Sequence, residues 1–204
     1  MKKLFYSFFV LIAMSLTFVA CDQKEPEPEP EPEPEIQSNC SIFKAQYGVD
    51  KQGVVYIFEI FSNTLAVNDD MTAITGSGDD CMIMMYASAA QEDGYPTAKE
   101  YSVIAPEDLT EESNDCVIGG MAYQGQPVGT FAYVIENGQA VDGLLCTEGS
   151  IKFEGNATKG IMTAKLKFEN SQGEIVEREY IYNGKMSLEE MPMNAPVSKV
   201  RRIK

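Results

Sequence analysis

Two kinds of side chain in this 204-residue sequence have the type and spacing to do chemistry: adjacent acids and cysteines. The acids are Asp69–Asp70, Asp79–Asp80, Glu92–Asp93 and Glu107–Asp108, and all four pairs read as loop residues. Carboxylates converging from two loops could hold Ca²⁺, or serve as acid and base in glycoside hydrolysis. The D-x-D-x-D-G order of a calcium loop is missing, however, and neighbours on an extended chain point to opposite sides. Solvated charge is the expected role. The run "MIMM" at 82–85 likewise reads as core filling rather than as a soft metal site. Histidine is absent, which closes Ser-His-Asp and Cys-His catalysis and every His-ligated metal site. G-x-S-x-G, GxGxxG and P-loop patterns are absent as well. The expectation is therefore a protein that is not an enzyme, with no catalytic, cofactor-binding or metal residues and no cofactor. Trp is also missing, but ten Tyr and ten Phe can supply stacking faces.

Of the five cysteines, Cys21 stands apart, at the end of an apolar run. Met1-Lys2-Lys3 is followed by an uncharged stretch from Leu4 to Ala20, the layout of a signal peptide over 1–20. A spanning helix needs roughly 20 apolar residues and is usually held by basic flanks. Here acidic residues follow, so cleavage is expected over spanning. Phe18-Val19-Ala20-Cys21 resembles the lipobox of bacterial lipoproteins. That resemblance implies a diacylglyceryl group on Cys21, acylation (palmitate) of the new amine, and a membrane partner reached through lipid. One acyl chain binds a membrane marginally, whereas two or more anchor it stably.

From Glu25 to Glu35 the chain alternates Glu and Pro. Such a segment has nothing to bury and stays extended, with a reach of roughly 30 Å. Residues 21–39 thus read as a tether. Asp22, Glu25 and Glu27 resemble the export signal of Bacteroidota lipoproteins shown on the outer face of the outer membrane. Asp22 beside the cysteine also resembles the inner-membrane retention signal of enteric bacteria. The long anionic tether favours the outer membrane, with the domain facing the cell exterior.

The other four cysteines, Cys40, Cys81, Cys116 and Cys146, contain no CxxC pair and do not read as a zinc site. An even number in an exported chain allows two disulfides in three connectivities. At least one bridge is expected; the alternative is four buried thiols acting as small hydrophobes. The formal charge of −15 opposes binding to nucleic acid or broad docking on anionic lipid.

The elements that must position these residues read as antiparallel β. Residues 53–62 ("GVVYIFEIFS"), 81–87 ("CMIMMYA") and 116–123 ("CVIGGMAY") are strand-like, the last with a bulge at Gly119–Gly120. Asn137–Gly138 between two apolar runs predicts a type I′ hairpin. Further on, Ile151 and Phe153 alternate with Lys152 and Glu154. Met162, Ala164, Leu166 and Phe168 alternate with Thr163, Lys165, Lys167 and Glu169. That period of two suits a sheet wet on one face. "PEDLTEES" at 106–113 could make one short helical turn. The expected fold is an all-β antiparallel sandwich or calycin-like barrel over 40–191, followed by a basic tail at 192–204.

"YPTAKEYSV", "VGTFAYVIENGQ", "TEGSIKFEG" and "LKFENSQGEIVEREYIYNGKM" are together similar to a group of small Bacteroidota lipoproteins. The likeness covers roughly residues 45 to 186. It implies an all-β sandwich or calycin-like barrel and brings no active site with it. Two functional classes remain open: a display or binding module for a glycan, a surface protein or an assembly partner, and a carrier of a small apolar ligand. A hydrolase that uses only carboxylates is the third. A lumen filled by side chains would remove the carrier.

Overall fold

The computed structural model describes residues 36–49, 53–68 and 73–191. All of them lie in one of the two units into which the chain divides, the one from Glu35 onward. Its strands are β1 (Cys40–Val49), β2 (Val54–Ser62), β3 (Leu65–Val67), β4 (Ile74–Gly76), β5 (Gly78–Ala87), β6 (Glu100–Ile104) and β7 (Cys116–Ile118). They continue as β8 (Met121–Tyr123), β9 (Gln126–Val128), β10 (Phe131–Glu136), β11 (Gln139–Gly155), β12 (Gly160–Glu169), β13 (Ile175–Gly184) and β14 (Leu188–Glu190). The 106–113 segment contributes one 3-10 turn, Pro106–Asp108. The fold is all-β, with one large sheet curled into a barrel.

The sheet runs β13-β12-β11-β6-β7-β5-β2-β1-β14, and β10 also bridges β11 and β5. Residues just before β1 sew its two ends together. The Asn39 N–H donates to the Ile181 carbonyl at 2.9 Å, and the Ile181 N–H donates to the Asn39 side chain at 2.7 Å. Closure of this kind removes an edge that would otherwise invite pairing with another chain.

The C-terminal strands follow the alternation. Ile151 pairs with Ala164 and Phe153 with Met162 in register, and all four are buried. Lys165 faces Glu179 across β12 and β13, on the wet side, at 3.4 Å. Asn137 and Gly138 both have positive φ, 50° and 79°, as a type I′ turn requires.

The expected bulge at Gly119–Gly120 is instead a break in the wall. β5 pairs with β10 along its first half and with β7 near its end, so the ladder divides there. The Gly120 N–H donates to the Cys146 carbonyl at 2.7 Å, the Cys146 N–H to Thr130 at 3.1 Å, and the Thr130 N–H to Ile118 at 2.9 Å. Three backbone segments, at 118–120, Thr130 and Cys146, meet at this point. A Cβ on Gly120 would lie 2.4 Å from the Thr130 carbonyl oxygen, so only glycine fits. From this junction β8 and β9 leave the barrel wall as a separate hairpin.

Aromatic rings fill the lumen. Phe153 meets Phe58 at 5.5 Å, and both Tyr95 and Tyr101 edge-on at 5.8 and 5.9 Å. Edge-to-face contacts of this kind add roughly 0.5–1.5 kcal/mol each beyond the area they bury. Tyr95 arrives on the loop between β5 and β6 and donates to the carbonyls of Glu154 and Ile161. The Tyr56 hydroxyl holds that same loop at the Gly94 carbonyl, 2.9 Å away. The interior is thus packed with side chains around Phe153, where a carrier would need room.

The cysteines correct one expectation: Cys40, Cys81, Cys116 and Cys146 are all buried free thiols, and none forms a bridge. Cys40, Cys81 and Cys146 belong to the luminal core, whereas Cys116 belongs to a second apolar cluster with Val55, Tyr86 and Ile118. Two have local acceptors instead of a bridge, Cys40 at the Ile181 carbonyl and Cys146 at that of Glu148. Burial pushes both of these thiols up to about 12, so they stay neutral and inert.

Candidate functional site

Strand β5 separates the acids of its first turn. Asp79 joins the inward series with Cys81, Ile83 and Met85, while Asp80 joins Met82, Met84 and Tyr86 on the outer face. Asp79–Asp80 is therefore strand, not loop, and its two carboxyls do different work.

Asp79 is buried at one end of the lumen and is satisfied there. The Arg178 Nε donates to its Oδ2 at 2.8 Å, and the Tyr180 hydroxyl donates to the same oxygen at 3.2 Å. The link spans the barrel from β5 to β13, two strands that do not pair. Burial, with Cys81 and Asp79 alongside, drives the Tyr180 hydroxyl far above its ordinary range, so it remains a donor. Arg178 has a sequence signal of its own: it falls at an inward position in the alternation Val176, Arg178, Tyr180, Tyr182. An inward Arg demands a carboxylate.

Asp80 lies in the outer wall, where pairing registers align two rows of side chains. One row runs Phe61, Asp80, Tyr133, Gly143 across β2, β5, β10 and β11. The next runs Glu59, Met82, Phe131, Leu145 across the same strands. Phe131 and Phe61 are buried although they face outward, because β8–β9 and Phe43 lie near them. The acids are thus set in an apolar surface. Burial, and then the charge of Glu59, pushes the Asp80 carboxyl up to about 7. Burial and the neighbouring Asp80 likewise raise the Tyr133 hydroxyl. Near neutrality Asp80 can donate a hydrogen bond as well as accept one.

Beside this row lies a hollow of about 200 Å³. Ala122 and Pro127 of the hairpin line one side, and Phe131, Tyr133, Gly143 and Leu145 of the wall the other. The hairpin is clamped at its base by the Gly120 junction, but both its faces are wet. Met121, Tyr123 and Val128 are exposed on it, Tyr123 by 58%. A two-stranded hairpin with no core of its own is marginal, so exposed apolar side chains there stand out.

The remaining acids do not converge. The Asp93 carboxylate accepts the N–H groups of Tyr95 at 3.1 Å and Ala157 at 2.9 Å, tying down the Tyr95 loop. Glu107 and Asp108 sit on the exposed 3-10 turn. Cys21, Asp69–Asp70 and the tail at 192–204 lie outside the described residues. Among the described residues no cluster of three metal-ligating side chains occurs. No family model matches the chain, and no curated protein or solved structure matches it.

Proposed function

We propose that this chain is a lipoprotein anchored through Cys21, and that its barrel is a non-enzymatic binding module held outside the outer membrane. In this reading, ligands meet the outer wall beside the β8–β9 hairpin, not the lumen. The observation that carries it is the contrast between the two surfaces. The lumen is occupied around Phe153, while the wall offers an uncharged hollow roofed by Ala122 and Pro127 of a hairpin whose other face carries exposed Met121, Tyr123 and Val128. Aromatic and Met side chains with few charges are the composition of binding surfaces. The lipobox-like run and the anionic tether supply the anchoring half of the proposal.

The test has two arms. Cys21→Ser in the full chain should move the protein out of the membrane fraction, and protease added to intact cells should remove the domain. Immobilised full-length chain should retain cell-envelope material that a Gly143→Leu variant, whose new side chain fills the hollow, does not. Protease protection on intact cells defeats the surface placement. Equal retention by the variant defeats the outer-wall site, and turnover of a glycoside or ester defeats the non-enzyme reading.

A further inference from the structure

The make-up of the hollow narrows what it can hold. Its floor is open at Gly143, where an added Cβ would meet no atom within 4 Å. Tyr133 stands directly opposite that gap in register, and its ring lies 5.6 Å from Phe131 at a steep angle. No lining side chain carries a charge, in a chain whose formal charge is −15. Hydrogen-bonding groups line it instead: Tyr133 on the wall and Gln126 on the hairpin.

A complementary ligand has an apolar face about one ring across, hydroxyls on its rim and no net charge. Anions find no cationic group in the lining. An acyl chain needs a longer enclosed path, since sites for drug-sized ligands run to roughly 300–1,000 Å³. A cation finds no charged group in the lining itself. A sugar ring meets each requirement, because its C–H face packs on an aromatic ring while its hydroxyls reach phenol and amide groups.

We propose that the hollow between the β8–β9 hairpin and the Tyr133–Gly143 row is a subsite for one neutral pyranose ring of a glycan. Tyr133 takes the apolar face of the ring, and its hydroxyl and the Gln126 amide take the ring's hydroxyls. The inference rests on the outer-wall reading above and names the ligand class for it.

The experiment uses the full chain in a polyoxyethylene detergent, which has no sugar headgroup to compete. Glucose, galactose, mannose, N-acetylglucosamine and their linear oligomers are the probes, read by saturation-transfer NMR. At least one should bind with a Kd on the order of 1 mM or tighter. Gly143→Leu fills the gap at an ordinary strand position and should weaken binding about tenfold or more without lowering Tm. Tyr133→Phe keeps the ring, loses the hydroxyl, and should weaken binding severalfold. No saccharide binding, binding indifferent to Gly143→Leu, or occupation by tetramethylammonium or N-acetyl-leucinamide in place of sugar would each overturn the proposal. Envelope material retained by the wild type, released by Gly143→Leu and competed by no saccharide sinks the pyranose subsite alone. If the wild type retains nothing, the outer-wall reading falls with it.

Discussion

Asp79 and Arg178 form an ion pair across the barrel, Oδ2 to Nε at 2.8 Å, with the Tyr180 hydroxyl on the same oxygen. Because β5 and β13 are not hydrogen-bonded neighbours, this contact fixes two walls whose ladders do not constrain each other directly. Breaking a buried pair from one side leaves a charge with no partner, which costs about 3–5 kcal/mol. The Arg178 side chain is 31% exposed, so water recovers part of that. Arg178→Met should therefore destabilise by about 2–3 kcal/mol in denaturant titration. Replacing both partners, Asp79→Leu with Arg178→Met, should restore most of the loss. A double variant as unstable as the single one would show that the pair itself supplies the stability.

Asp80 gives the domain a pH dependence that runs opposite to that of a salt-bridged acid. Its carboxyl is raised from 3.8 to about 7, so the native state keeps the proton after the unfolded chain has lost it. Below about pH 4 both states are protonated, and the favourable contribution is complete. It is lost as the pH rises through about 7. Each unit is worth about 1.4 kcal/mol, and partial exposure of the site reduces the total to roughly 1–3 kcal/mol. Asp80→Asn should match the wild type near pH 4 and exceed it by that amount at pH 8. Glu59→Gln should shift the titration of Asp80 downward, readable by carboxyl-carbon NMR. A wild-type stability that does not fall relative to Asp80→Asn between pH 4 and 8 contradicts this.

Much of the barrel wall was legible because it follows the sheet period. The alternation of Met162, Ala164, Leu166 and Phe168 with polar residues gave both the strand and its buried face, and Asn137–Gly138 gave its turn. The split ladder was not legible. A Gly-Gly pair reads the same whether it makes a bulge or lets three backbone segments meet, and only the long-range partners Thr130 and Cys146 distinguish the two. Asp79–Asp80 was misread as loop because two acids after a glycine suggest a turn, whereas burial by distant strands keeps them extended. Neither Glu59 with Asp80 nor Asp79 with Arg178 has a local signature. The hints were Glu59, a single acid inside the apolar run "VVYIFEIFS", and Arg178 at an inward position of β13. The cysteine count was an unreliable guide, since parity says nothing about which face of a strand each thiol occupies.

The four buried thiols predict a domain indifferent to reductant. Cys40, Cys81, Cys116 and Cys146 should resist alkylation when folded and all label, without reductant, once unfolded. Removal of a native bridge would cost about 2–5 kcal/mol, so an unchanged Tm in dithiothreitol separates the cases clearly. A fall in Tm on reduction would mean that a bridge exists.

Two glycines of the same wall should respond in opposite ways to a single methyl. At Gly120 a Cβ would sit 2.4 Å from one backbone oxygen and 2.7 Å from the Cys146 nitrogen, at the crossing from which the hairpin leaves. Backbone cannot yield there without breaking the bonds among Gly120, Cys146 and Thr130. Gly120→Ala should cost about 2–3 kcal/mol, the range of a severe packing lesion. Gly143 faces open space, so Gly143→Ala should be neutral or stabilise by up to about 1 kcal/mol through lower chain entropy. Hydrogen exchange adds a second reading. The Gly120 lesion should speed exchange at Thr130 and Cys146 and detach the hairpin, whereas Gly143→Ala should leave those amides protected. Equal effects at the two sites would mean that the crossing does not hold the hairpin, and that β8–β9 keeps its place over the outer wall by contacts with Phe131 and Leu145 instead.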